Sequence, residues 1–398
     1  MTRARIVELR KASFLLCLNI LLLSASITLL FGCKTSGKAT GQGSGHSISK
    51  LVLLDTYELP SMMSFKGTTV AGLSGIDYDA KNDLYYIISD DRSDVNPSRF
   101  YTTNIRFTEK NIDSIFFRDV TTLLDKEGRA YSNQQADPLR RVDPEGIRYN
   151  ANKDVLAWSN EGERTTINGK LVLCDPAITI IDKKGNYQDS FFLPSNMHVT
   201  PVEKGIRRNG AFEGLSFDSG YKFVYVCVEE PLYEDGPRAG LGDSTAWIRF
   251  IKFDAATKRP VAQYAYEIDA VPYPANPTGE FKINGVPEIL YTGNDQLLVI
   301  ERSFSTGKQS CAVRIYIADL STASDVSNVS SLLSRGAFKP AIKKLLLNMD
   351  SLGIYIDNVE GVTFGPALPN GNSTLIFVTD DNFTSKQKTQ FFFFEVIR

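Results

Sequence analysis

Histidine is almost missing from this chain of 398 residues, which has only His46 and His198. His46 lies in a Gly/Ser-rich stretch and His198 stands alone in NMHVTP, so histidine-dependent phosphatase and Ser-His-Asp chemistry lack their parts. The serine of GLSGI has the wrong spacing for a G-x-S-x-G elbow, and neither a P-loop nor a dinucleotide fingerprint occurs. An excess of either charge is lacking too: 44 Lys and Arg face 46 Asp and Glu, a net charge of -2. With no basic stripe to displace phosphate counterions, nucleic acid is excluded as a partner. Cysteine is scarce, and past the N-terminal segment only Cys174, Cys227 and Cys311 remain. That odd number allows one disulfide at most, no pair has zinc-site spacing, and the apolar surroundings favour small buried residues.

What is present begins with an export signal. Arg3, Arg5, Arg10 and Lys11 precede an apolar run from Phe14 to Phe31, then Gly32 and Cys33. LLFGC reads as a lipoprotein cleavage site with Cys33 as the lipid-bearing residue, although Phe31 is bulky for its position. An uncleaved membrane anchor is the alternative. Residues 1–33 are therefore expected to be a lipoprotein signal, 34–50 a flexible tether and 51–398 the folded body. That places the protein in the cell envelope, facing the periplasm or the cell surface, held by an N-terminal lipid and acting as a monomer.

The body carries a repeat. GLSGIDY, DPEGIRY, AFEGLSF, GVPEILY and NVEGVTF anchor on Gly75, Gly146, Gly214, Glu288 and Gly361, with steps of 71, 68, 74 and 73 residues. Each is followed by a turn signal and then an apolar strand such as DLYYIIS or KFVYVCVEE. A second strand-turn-strand fills each interval, making a four-stranded unit. The expected fold is an all-β propeller of five blades, six if one blade lacks the signature. LVLLDTYEL and QFFFFEVIR are expected to share a blade and close the ring, and PAIKKLLLNMDSL (340–352) to form one short inserted helix.

A hairpin returns the chain to the end of the sheet where it began. The glutamate before each glycine (Glu145, Glu213, Glu360) should therefore share a channel mouth with the acids after the second strand: Asp90, Asp91, Glu161, Glu229, Glu301 and Asp380. The glycine would serve a bulge or a close backbone approach. Asp77 and Asp79 read as turn acids. Converging carboxylates need a counter-charge, either a hard divalent cation such as calcium or the adjacent Arg92, Arg164 and Arg302.

GLSGIDYDAKNDLYYIISDDR, DPEGIRYNANKDVLAWSNEGE, FEGLSFDSGYKFVYVCVEE and VEGVTFGPALPNGNSTLIFVTDDN resemble the bacterial phytase-like family, known for esterase-like activity of phytase. The resemblance implies an exported or lipid-anchored propeller that hydrolyses phosphoric esters. Glu145, Glu213 and Glu360 would then be catalytic, and Arg92, Arg164 and Arg302 would bind the phosphate. Asp90, Asp91, Glu161, Glu229, Glu301 and Asp380 would hold the cation. The repeats with Ser74 and Glu288 depart from the pattern and should contribute less. The alternative is a non-enzymatic, cation-stabilised propeller that binds a glycan, a peptide or an envelope protein through loops carrying Tyr233, Trp247 and Tyr273.

Overall fold

Five hairpin-rich units of β-branched and aromatic residues fold into five four-stranded antiparallel sheets, as seen in a computed structural model that describes residues 47–334 and 338–398. The signal segment, Cys33 and His46 lie outside the described residues. Blade 1 runs through Leu73–Asp79, Leu84–Ser89, Arg99–Phe107 and Ile112–Thr122. Blade 2 comprises Pro144–Asn150, Val155–Asn160, Ala177–Ile181 and Tyr187–Ser190, with a small hairpin, Glu163–Ile167 and Lys170–Cys174, inserted after its second strand. Blade 3 uses Phe212–Phe217, Phe223–Val228, Ala246–Asp254 and Pro260–Ile268, and blade 4 Lys282–Gly293, Gln296–Ser305, Ala312–Asp319 and Ile342–Asn348.

Blade 5 joins the two ends of the body. Asn358–Gly365, Thr374–Asp380 and Gln390–Ile397 take Lys50–Glu58 as their outermost strand, in register from Lys50 opposite Ile397 to Glu58 opposite Gln390. The expected closure is thus observed, and it covers an edge that would otherwise be open to aggregation. Ile48 is already buried in the core that this blade shares with blade 4.

The repeat glycines mark where one blade meets the next. In every innermost strand one extra residue enters at the acidic-glycine motif and shifts the register against the second strand. A Cβ on Gly75 would lie 2.7 Å from the Glu145 carbonyl oxygen in blade 2, and one on Gly361 would lie 2.9 Å from that of Ser74 in blade 1. Both functions expected of the glycine, bulge and close approach, therefore hold. The ring is also stitched by side chains. Ser74 donates to the Glu145 carbonyl (2.8 Å), and the Tyr291 amide donates to Ser216 Oγ (2.8 Å). Asp77 accepts from the Tyr149 amide of blade 2 (2.7 Å) and from Thr363 of blade 5 (2.9 Å). Asp77 is therefore a cross-blade link rather than a turn acid, whereas Asp79 does cap its turn through the Lys81 amide.

The expected helix is not there. Ile342–Asn348 is the outer strand of blade 4, paired with Ala312–Asp319, and only Met349–Leu352 turns, as a 3-10 segment capped by Asn348. Pairing along the blade edge outweighs the local helix preference of Lys-Lys-Leu-Leu-Leu. The lysines also suit an edge strand that must not recruit another chain. The three cysteines of the body are free, Cys227 and Cys311 buried and Cys174 half-buried. Trp247 belongs to the third strand of blade 3, packed edge-on to Phe338, and is not a loop contact.

Candidate functional site: a buried carboxylate cluster at the channel mouth

Because each bulge follows the first residues of an innermost strand, the flanking acids are brought to one end of the ring. Glu145, Glu213 and Glu360 precede the glycine on blades 2, 3 and 5. Glu161, Glu229 and Asp380 come from the ends of the second strands of the same three blades, and Asp90 from blade 1. Asp143, two residues before Glu145, joins them. Two triads result, Asp143–Glu145–Glu161 and Glu161–Glu213–Glu229, in each of which carboxylate oxygens lie within 4.8 Å of one another. Glu161 is common to both. All five residues are buried.

Burial and mutual repulsion govern their charge. Glu145 is pushed well above the usual carboxylate range by burial, then by Glu213, Asp143, Glu161 and Asp90. Glu213 is raised by burial, Glu229 and Glu161, and Glu161 by burial, Asp143 and Glu229. Glu161 in turn accepts from the Ala211 amide at 2.8 Å. Buried carboxylates this close repel one another, and a bound cation would relieve that repulsion. Asp90 and Asp380 are raised by burial and by neighbouring acids, and Asp90 Oδ1 is buried without a hydrogen-bond partner. Burial raises Glu360 to about 7, with Arg302 opposing it, and Glu230 to about 7, with Arg238 opposing it.

Two guanidiniums oppose this charge. Arg92 binds both oxygens of Asp143 (2.5 Å each) and Asn209 (2.7 Å). Arg302 reaches Glu229 (3.2 Å) and Glu360 (3.0 Å). Both hold their protons more firmly than usual because of these acids, although burial works against them. Donors that are all carboxylate oxygens, with no imidazole or thiolate in either triad, suit a hard divalent cation of the calcium or magnesium type.

Three expected residues stand elsewhere. Asp91 turns away from the mouth into an ion pair with Arg99 (2.7 Å) and caps the amides of residues 94–96. Arg164 is carried off by the inserted hairpin and donates to the Val202 carbonyl and the Tyr233 hydroxyl. Glu301 lies inside its strand and belongs to a separate network with Lys343, Tyr266 and Asn284. Both acids follow the second strand of blade 1, and Asp91 is drawn off by Arg99 and its turn amides while Asp90 stays beside Asp380 and Glu360. Ser74 and Glu288 stay out of the cluster, as expected from their departure from the pattern. His198, half exposed, pairs with Asp175 (2.7 Å).

Arg148 was not anticipated. It lies two residues after the blade 2 glycine, is only 2% exposed, and fills the channel behind the acids. It donates to the carbonyls of Ile76, Leu215 and Ile289, in blades 1, 3 and 4, and sits 2.8 Å from Glu288. Glu288 replaces glycine in blade 4 because this arginine supplies its counter-charge; burial still raises it to about 8.

The pH response follows from these shifts. A carboxyl whose folded pKa exceeds its unfolded value binds its proton more tightly when folded, so its contribution is present at low pH and lost as pH rises. The window runs from the ordinary glutamate value of 4.5 through about 7, where Glu230 and Glu360 titrate. In chelator, the melting temperature is expected to fall between pH 5 and pH 8, and calcium is expected to restore more of it at pH 8. Parallel thermal melts check this, and a flat profile in chelator would show that the acids are not strained.

A five-bladed propeller with buried acids gathered at one mouth of its channel is the class that this fold and site define. A family model described as "Phytase-like: Esterase-like activity of phytase" matches residues 68–383, and the chain belongs to that family. No curated protein matches it. Among solved structures it is similar to the exo-β-1,3-galactanase of Phanerochaete chrysosporium (TM-score 0.43, 10% identity), with 87% of this chain and 64% of that one covered. It therefore spans just under two thirds of the galactanase. A GH43 β-1,3-galactosidase (TM-score 0.42, 9% identity) is covered to 94%, with 86% of this chain. The periplasmic gluconolactonase of Pseudomonas aeruginosa (TM-score 0.35, 9% identity) is covered to 84%, with 81% of this chain. Likeness at those scores bears on neither blade count nor chemistry.

Proposed function

We propose that the protein is an exported, lipid-anchored hydrolase of phosphoric esters that requires a divalent cation, calcium by preference, and acts on phosphomonoesters of the phytate kind. The observation that carries this reading is the pair of carboxylate triads sharing Glu161, flanked by Arg92 and Arg302 at the same mouth. Membership of the phytase-like family supports the hydrolase part.

Asp143, Glu145, Glu161, Glu213 and Glu229 would hold the cations, with Asp90 and Asp380 beside them. A cation bound there supplies charge neutralisation for the phosphate and acidifies a water molecule. Arg92 and Arg302 bind phosphate oxygens and fix the ester for in-line attack. Burial and its acidic neighbours make Glu145 hold a proton tightly, and a bound cation would keep it ionised, so that it could accept the proton of the attacking water. Glu360 orients Arg302, so it acts as a positioning residue in this scheme.

Burial favours a second reading. The triad acids are all less than 9% exposed, as expected of cations that staple the ring while the loops bind an envelope ligand. Phosphate release from phytate and simple phosphomonoesters, with calcium and with chelator, separates the two. Calcium-dependent release that chelator abolishes is the expected result. No release from folded protein that binds calcium would leave the stapled binding propeller.

A further inference from the structure

We propose that the triads latch the two arginines of the mouth, so that cation binding must come first and only then is the phosphate-binding edge of each guanidinium released. This rests on the cation-dependent reading above and adds an order of binding to it. Each arginine is held by a carboxylate that also belongs to a triad. Asp143 gives both of its oxygens to Arg92 and is a member of the first triad. Glu229 holds Arg302 and is a member of the second. The symmetry is not required by the fold, since the two arginines come from different blades and different strand positions.

Asp143 gives both oxygens to Arg92 and Glu229 gives one to Arg302, so a cation that draws in these carboxylates competes with the guanidiniums for the same negative charge. A divalent ion at a ligand distance of about 2.3–2.6 Å competes strongly for those oxygens, having twice the charge at shorter range. When Asp143 and Glu229 turn to the cation, each guanidinium loses a hydrogen-bonded anion and seeks another. A phosphate, which can present two of its oxygens to the guanidinium fork and is already attracted by the cation, meets that need. Arg302 has a donor in place: its Nε is buried and has no hydrogen-bond partner. Asn209, bonded to Arg92 at 2.7 Å, keeps that side chain at the mouth when Asp143 lets go.

The latch is tested without turnover, by titrating inorganic phosphate calorimetrically into chelator-treated protein. Wild type is expected to show no measurable binding. Asp143→Asn, which removes the latching charge, is expected to bind phosphate measurably in chelator, at least tenfold more tightly than the detection limit that wild type fails to reach. Adding Arg92→Met to it should abolish that binding. A folded Asp143→Asn protein that binds phosphate no better than wild type would overturn the latch. If that variant does not fold, Glu229→Gln combined with Glu360→Gln serves instead, because it removes both carboxylates that hold Arg302. In wild type, NMR provides a second readout: calcium should speed hydrogen exchange of the Arg92 Nε–H at least tenfold, and unchanged protection in calcium-bound protein would contradict release. Wild type that binds no calcium at all would remove the underlying reading instead, so the two failures are distinguishable.

Discussion

Replacing Glu161 by glutamine is expected to abolish cation binding at both triads and to lower phosphate release at least about 100-fold, while leaving the chelated protein as stable as wild type or more so. The opposite signs come from one position. Glu161 is the carboxylate common to Asp143–Glu145–Glu161 and Glu161–Glu213–Glu229, so its charge would serve two cation sites. It is also a buried acid raised by burial, Asp143 and Glu229, so without a cation that charge is a cost. Glutamine keeps the oxygen that accepts from the Ala211 amide. Calcium titration calorimetry and thermal melts in chelator check both halves. A variant that loses stability in chelator would mark Glu161 as a structural acid, and one that still binds two cations would break the shared-ligand account.

Arg148→Met is expected to cost about 3–5 kcal/mol above pH 8, where Glu288 is ionised, because a buried ion pair then loses one partner and the remaining charge is uncompensated. The loss falls on Glu288, 1% exposed at its side chain, and on three carbonyls from three different blades. Pairing it with Glu288→Met should recover about half of that loss, since the stranded carboxylate disappears while the carbonyls still lack donors. Chemical denaturation of the single and double variants measures it. Arg148→Met unfolding at the wild-type midpoint would mean that the channel plug contributes nothing to closing the ring.

The blades and the inward glutamates were legible because they recur. Glu145, Glu213 and Glu360 sit at one offset from a glycine, and a hairpin returns the next acid to the same end. The errors arose where that geometry depends on strand length. Glu229 comes just after Phe223–Val228 and enters the cluster, whereas Glu301 lies within Gln296–Ser305, opposite Arg314, because that strand runs on for four more residues. Both follow an apolar run in the sequence, and only the pairing partner tells them apart. Arg164 was misplaced for a related reason, as it begins a hairpin inserted between two strands of blade 2. Asp143 could have been found, since it opens the DPEGIRY motif and its side chain lies on the same side of the bulge as Glu145. Arg148 reads like any polar strand residue, and only closure of five blades about one axis puts it in the channel. The missed strand at Ile342–Asn348 shows local helix preference overruled by an unpaired edge.

Glu161 is predicted to join two cation sites at one mouth of the ring. The most direct test is diffraction from crystals grown with calcium, with anomalous difference maps collected at long wavelength. Two peaks are predicted, one among Asp143, Glu145 and Glu161 and one among Glu161, Glu213 and Glu229, with Arg92 and Arg302 turned away from Asp143 and Glu229. Well-ordered crystals at saturating calcium with no peak at either triad, and both arginine pairs intact, would contradict the account.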